Sequence, residues 1–104
     1  MKRIYWKGIV PRERISSINS IADIISTHGS VLEFKRFSDL SLGFVVETTY
    51  AFVKGLREEL QNFMTIDAEE PGSEDGLETI IILLHITFAT GTGKLEIEVP
   101  NVPG

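Results

Sequence analysis

Hydrophobic and polar residues recur with two different periods along this chain of 104 residues. Six segments have the composition or the two-residue alternation of β-strands, namely residues 2–10, 30–37, 40–48, 64–70, 77–89 and 94–99. Two segments between them place apolar side chains at helical spacing, Ile15, Ile18, Ala22 and Ile25 in the first and Phe52, Val53, Leu56, Leu60 and Phe63 in the second. The pattern predicts the order β-α-β-β-α-β, followed by a β-hairpin.

Turn and capping residues mark the ends of these elements. Pro11 suits the first turn of the first helix, where its missing N–H would have no partner, and His28-Gly29 suits its end. Thr48 or Thr49 is able to cap the second helix. TGTG at residues 90–93 is a turn, and the alternating KLEIEV that follows it predicts a C-terminal β-hairpin over residues 77–99.

The predicted order is that of the split β-α-β, or ferredoxin-like, arrangement. We therefore expect a single α+β domain over residues 1–104, with an antiparallel sheet and two helices on one face. Residues 1–70 would form the β-α-β-β-α-β core. The C-terminal β-hairpin, residues 77–99, would extend the sheet of that core.

The predicted strands are apolar on both sides, which bears on the partners of the protein. Tyr5, Val45, Ile81 and Leu83 lie on the side of their strands that alternation assigns to the second face of the sheet. Two helices cover only one face of the sheet. The second face must therefore pack against a partner molecule or bind a ligand. We expect a homodimer through the sheet, and a ligand-free assembly module is the main alternative to a ligand-binding one.

Composition and charge narrow the classes of function. The chain has no cysteine, so disulfides, thiolate metal sites and cysteine nucleophiles are excluded. Residues 1–36 carry seven basic and three acidic residues, residues 67–104 carry one and eight, and the net charge of −5 argues against nucleic-acid binding. The longest apolar run, residues 80–89, has about half the length of a membrane helix. With no recognisable secretory leader, we expect a soluble cytoplasmic protein that does not bind membranes.

Three features of the sequence are candidates for ligand or metal binding, and each has a simpler structural interpretation. TGTGK at residues 90–94 lacks the first glycine and the final Ser/Thr of a phosphate-binding loop, so it is interpreted as a hairpin turn. His28 and His85 are isolated in sequence, whereas a metal site needs several ligands. The acidic stretch over residues 67–78 lacks the spacing of a calcium loop. We expect no metal, no cofactor and no catalytic residue.

Residues 21–37, IADIISTHGSVLEFKRF, together with GFVVET and LREEL further on, resemble the ACT domain, a small regulatory module. The resemblance implies a β-α-β-β-α-β fold, dimerisation and binding of an amino acid or another carboxylate without catalysis. In the family, the ligand contacts the turn between the first strand and the first helix. By position, that turn comprises Gly8, Ile9, Val10, Pro11 and Arg12. Backbone N–H groups at the start of a helix would receive the carboxylate there.

Two other families share this topology. IYWKGI at residues 4–9 and SLGFVVE at residues 41–47 resemble the strand motifs of the RNA-recognition motif, with Tyr5 and Phe44 at stacking positions. An acylphosphatase-like enzyme would hold an acyl phosphate with Arg12 or Arg14, but the hairpin offers Glu47 and no asparagine to orient water. An RNA-binding module is therefore the third interpretation, and this enzyme is the last.

Overall fold

A computed structural model describes residues 2–11, 14–70, 72 and 76–88, with the side chains of residues 14–17 excepted. This part of the chain contains five strands and two helices, β1 (Lys2–Val10), α1 (Arg14–His28), β2 (Ser30–Ser38), β3 (Ser41–Thr49), α2 (Tyr50–Leu60), β4 (Thr65–Ala68) and β5 (Thr79–Phe88). The predicted α+β class is confirmed, as is the order of these seven elements. The predicted strand over residues 94–99 lies outside the described residues.

The strands form one mixed sheet in the order β2-β3-β5-β1-β4. β1 and β5 are parallel, and the other three neighbouring pairs are antiparallel. The prediction of an antiparallel sheet is thus wrong for this pair. The architecture is compatible with a ferredoxin-like fold, but β5 separates β1 from β3 and makes the sheet five-stranded.

The position of β5 also differs from the prediction that residues 77–99 extend the sheet. β5 pairs with β3 on one side and with β1 on the other, so it has no free edge for a hairpin partner. Ile80, Ile82, Leu84 and Ile86 have 2% exposure or less, and Ile81 is also buried. A strand that is apolar on both faces is stabilised most at the centre of the sheet, because the neighbouring strands and the helices remove its side chains from water there.

One hydrophobic core lies between the sheet and the two helices. Every second residue of the three inner strands enters it, and so do apolar residues of α1 and α2. Members of this core are Ile4, Trp6, Leu42, Phe44, Val46, Ile82, Leu84, Ile21, Ile25, Val53, Leu56 and Leu60. Phe52 was expected in the buried stripe of α2 but is 51% exposed. It contacts the ring of His28 edge-on, with the ring centroids 6.3 Å apart.

The start of α2 is tied to the segment that leads into β5. Thr49 occupies the predicted cap position, but its side chain makes no capping hydrogen bond. Instead, the backbone N–H of Tyr50 donates to the carbonyl of Glu78 at 3.1 Å, and that of Ala51 donates to the carbonyl of Gly76 at 3.1 Å. Carbonyls from the approach to β5 therefore satisfy N–H groups that a helix start leaves unpaired.

In the described part of the chain, neither helix has the length and apolar composition needed to cross a lipid bilayer. α1 has 15 residues and α2 has 11.

Replacing Ile82 by alanine tests the central position of β5. Ile82 is fully buried, so Ile82→Ala should lower the free energy of unfolding by about 2–5 kcal/mol through lost burial and a residual cavity. Val31→Ala on β2, where the side chain is 37% exposed, is the control and should cost under about 1 kcal/mol. Urea unfolding measures both. Equal costs at the two positions would contradict this placement of β5.

Candidate functional site

The residues predicted to bind a ligand lie along the end of β1. Gly8, Ile9 and Val10 belong to the strand, Pro11 follows it and is exposed, and Arg12 lies outside the described residues. Gly8 and Val10 are on the buried face, whereas Ile9 is 51% exposed on the opposite face. Of the four described residues, Gly8 and Val10 thus lie on one face of the sheet, Ile9 lies on the other, and Pro11 follows the strand.

The backbone at Gly8 and Ile9 is engaged by strands on both sides. Gly8 lies opposite Ile66 of β4 and Ile86 of β5. The side chain of Met64 packs directly against Gly8, where an added Cβ would collide with its sulfur. The glycine leaves room for the Met64 side chain as it lies here, and its N–H and C=O lie between two paired strands rather than in an open turn. Ligand binding at Pro11 and Arg12 stays a prediction.

The face of the sheet opposite the core, called the open face here, is covered by neither helix. Its positions are Arg3, Tyr5, Lys7 and Ile9 of β1, Glu33, Lys35 and Phe37 of β2, Ser41, Gly43, Val45 and Glu47 of β3, Thr65 and Asp67 of β4, and Ile81, Leu83, His85 and Thr87 of β5. Tyr5 is 62% exposed, and Val45 and Leu83 are half-buried. The second apolar face that the alternation predicted is therefore present.

Strand register sorts the centre of the open face into two neighbouring rows. The first row runs across the sheet through Tyr5, Leu83, Val45 and Glu33, and is apolar apart from its last member. The second row runs through Lys7, His85, Gly43 and Lys35. An apolar strip thus lies beside a strip that carries two lysines and a histidine.

An aromatic cluster surrounds His85 in the second row. Ser41 Oγ and His85 Nε2 share a hydrogen bond of 2.7 Å. The ring of Phe37 meets the imidazole edge-on, with centroids 5.6 Å apart, and Lys35 Nζ lies 5.7 Å from the centre of the Phe37 ring. The hydrogen bond and the ring contact restrict the imidazole on two sides, and the lysine lies within the range of a cation–π contact.

Gly43 makes room for this cluster. A Cβ at this position would lie 2.9 Å from Cε2 of Phe37. With glycine, the Phe37 ring is able to lie over the sheet surface and reach His85. No pattern along the chain indicates this arrangement, because Phe37, Gly43 and His85 belong to three different strands.

The cluster borders a groove of about 320 Å³ on the open face. Its lining residues are Glu33, Lys35, Phe37, Gly43, Val45, Leu83, Leu84 and His85. Val45 and Leu83 form an apolar floor, and opposite charges from β2 stand at one rim. This volume lies at the lower end of the range for small-molecule sites, which combine apolar walls with a few polar groups.

A smaller cavity of about 120 Å³ lies beside α2 and the segment after β4. Trp6 Nε1 donates to the carbonyl of Glu69 at 3.0 Å, and Glu69 Oε1 accepts from the N–H of Tyr5 at 2.9 Å. Arg57 pairs with Glu70. These contacts hold the segment after β4 against β1 and α2, so we assign this cavity a structural role.

The hydrogen bond between Ser41 and His85 invites comparison with nucleophilic and metal sites. A serine–histidine nucleophile needs a third group that orients the base, and no carboxylate bonds to His85 among the described residues. Within the same residues, no three or more histidines and carboxylates converge as a metal site would require.

The chain matches no known family model, no curated protein and no solved structure.

Replacing Phe37 tests the cluster around His85. Phe37→Leu removes the aromatic ring current, so the ring-proton resonances of His85 should move clearly in proton NMR spectra. Phe34→Leu is the matched control, because Phe34 faces the core side and lies 5.0 Å from the ring of Phe44. It should leave the His85 resonances in place. Equal displacement in both variants would contradict the cluster.

Proposed function

We propose that this protein is a non-enzymatic binding module that takes an amino acid or another small carboxylate with an apolar body in the groove on the open face. The observation that carries the proposal is the groove itself, where an apolar floor adjoins a histidine and a pair of opposite charges. The class of ligand is the one that the ACT resemblance implied. The proposed site is on the sheet rather than in the turn after β1.

The apolar part of the ligand would rest on Val45 and Leu83. Both side chains are half-buried in the free protein, so a ligand removes their remaining apolar surface from water. Phe37 stands beside them and offers the edge or face of its ring to the same body. Because the groove is shallow and open to solvent, the gain from this burial is modest, and we expect weak binding.

The polar part of the ligand would meet Lys35, His85 and Glu33. Lys35 attracts a carboxylate, and the imidazole of His85 is able to donate a hydrogen bond to it. Glu33 is two residues away on the same face of β2 and would meet an ammonium group. This opposite pair favours a zwitterionic amino acid over a simple anion, although salt screens exposed charges.

RNA binding on the same face is less well supported by the charges. Tyr5 is exposed and available for stacking. However, the open face carries the carboxylates of Glu33, Glu47 and Asp67 against three cations, Arg3, Lys7 and Lys35. The three carboxylates balance the three cations, so these charges give no net attraction to a phosphate backbone.

Thermal unfolding with a matched set of small molecules tests the proposal. L-Phenylalanine has all three recognised parts, 3-phenylpropanoate lacks the ammonium, phenethylamine lacks the carboxylate, and glycine lacks the apolar body. At a hundred times its dissociation constant, a ligand adds about 2.7 kcal/mol of stability. For a domain of this size, that raises the melting temperature by on the order of 10 °C. We expect L-phenylalanine to give the largest increase and glycine and phenethylamine the smallest.

Variants locate the site. Lys35→Gln and His85→Gln should each weaken binding of L-phenylalanine several-fold, whereas Lys54→Gln on the exposed side of α2 should not. Arg12→Glu examines the turn after β1. Loss of binding in Arg12→Glu, with full binding in the two groove variants, would move the site to the turn. No increase in melting temperature with any of the four molecules would contradict the proposed ligand class.

A further inference from the structure

Strand β2 is an exposed edge of the sheet. Among the residues that the structure describes, it pairs only with β3, and all nine of its own residues are exposed. Leu32 is 55% exposed and Phe34 is 49% exposed, although both are large and apolar. An edge of this kind presents unpaired N–H and C=O groups to which another strand is able to add.

The regular part of β2 is short. Register shifts interrupt its pairing with β3 between Val31 and Glu33 and again between Arg36 and Ser38. A regular run of four residues, 33–36, remains between these two irregularities. Bulges bend and twist a strand, so a second strand would add best along this run.

Side chains alternate between the two faces within the run. Glu33 and Lys35 lie opposite Val45 and Gly43 and point to the open face, whereas Phe34 lies opposite Phe44 and faces the core side. In a continuous sheet with two-fold symmetry, directly opposed residues lie on the same face. One residue of the run must therefore lie directly opposite its own copy, and the symmetry axis passes midway between these two residues.

Charge distinguishes the four registers that the run allows. When Glu33 lies opposite its own copy, two carboxylates face each other. The same register at Lys35 brings two ammonium groups together, and at Arg36 two guanidinium groups. An axis at Phe34 opposes the two phenyl rings and places each Glu33 directly opposite Lys35 of the other copy. Like charges directly opposite are destabilising, and opposite charges are stabilising.

We propose that β2 pairs antiparallel with β2 of a second copy, in the register that places Phe34 opposite Phe34. The product is a continuous sheet of ten strands with all four helices on one side. Two Glu33–Lys35 pairs cross the boundary on the open face. The paired run is short, so the interface is small and the dimer dissociates on dilution.

The dimer follows from β2 alone and goes beyond the proposed ligand. Glu33 and Lys35 also stand at the rim of the groove, so the two grooves of the dimer flank its symmetry axis. The experiments below use ligand-free protein and measure association only. Failure of the dimer and failure of ligand binding are therefore separate results.

Single cysteines test the register, because the chain has no cysteine of its own. Phe34→Cys places two thiols directly opposite each other, within reach of a disulfide. Mild oxidation should therefore convert most of this variant to a covalent dimer. Arg36→Cys, on the same face two residues away, is the matched control. Its two thiols would lie four residues apart along the strands, roughly 13 Å. Equal cross-linking of the two variants would overturn the proposed register.

Charge exchange tests the ionic pairs by sedimentation equilibrium over a range of protein concentrations. The wild-type chain should dimerise as concentration rises. Glu33→Lys and Lys35→Glu should each raise the dissociation constant at least tenfold, because every facing pair becomes a like-charge pair. A mixture of the two variants should form a heterodimer. The double variant, Glu33→Lys with Lys35→Glu, should recover the wild-type dissociation constant.

Two results would overturn the proposal. One is a wild-type chain that stays monomeric at the highest concentrations reached. The other is a dimer whose dissociation constant is unchanged by both single charge variants, which would place the contact on the open face or elsewhere. Far-ultraviolet circular dichroism and urea unfolding serve as folding controls. Glu33 and Lys35 are exposed, so their replacement should leave the monomer folded.

Discussion

The pairing of β5 with both β1 and β3 is the interaction on which the rest of the structure depends. Without β5, the pair β2-β3 and the pair β1-β4 are not joined in one sheet. Its buried residues also form the middle of the layer on which both helices pack. The carbonyls of Gly76 and Glu78, just before β5, accept hydrogen bonds from the start of α2. The last described strand therefore organises elements that precede it in the chain.

The placement of both helices on one side of the sheet leaves the open face uncovered by helices. Helices α1 and α2 share one core with alternate residues of the inner strands. The remaining alternate residues are left on the open face, and several of them are apolar. Val45 and Leu83 are half-buried there and line the groove. The groove is thus a consequence of one-sided packing together with the glycine at position 43.

The proposed ligand site and the proposed dimer use the same two charged residues. Lys35 and Glu33 are at the rim of the groove and at the outer edge of β2. A ligand that engages Lys35 changes its availability to the second copy, and pairing with the second copy changes its availability to the ligand. Such coupling is reciprocal by thermodynamic necessity. A regulatory module with these two proposed sites would act by letting a small molecule control self-association.

The local pattern of residues was sufficient to predict the α+β class, the order of the seven described elements and the existence of a second, partly apolar sheet face. These properties follow from the period of apolar residues, which depends on the backbone geometry of each element alone. The central position of β5, its parallel pairing with β1 and the meeting of Phe37, Ser41 and His85 were decided by the tertiary structure. Residues 37 and 85 are far apart in sequence, and only the order of strands in the sheet brings them together. Strand order depends on how the whole chain buries its apolar surface, and a pattern read along single segments does not contain that information.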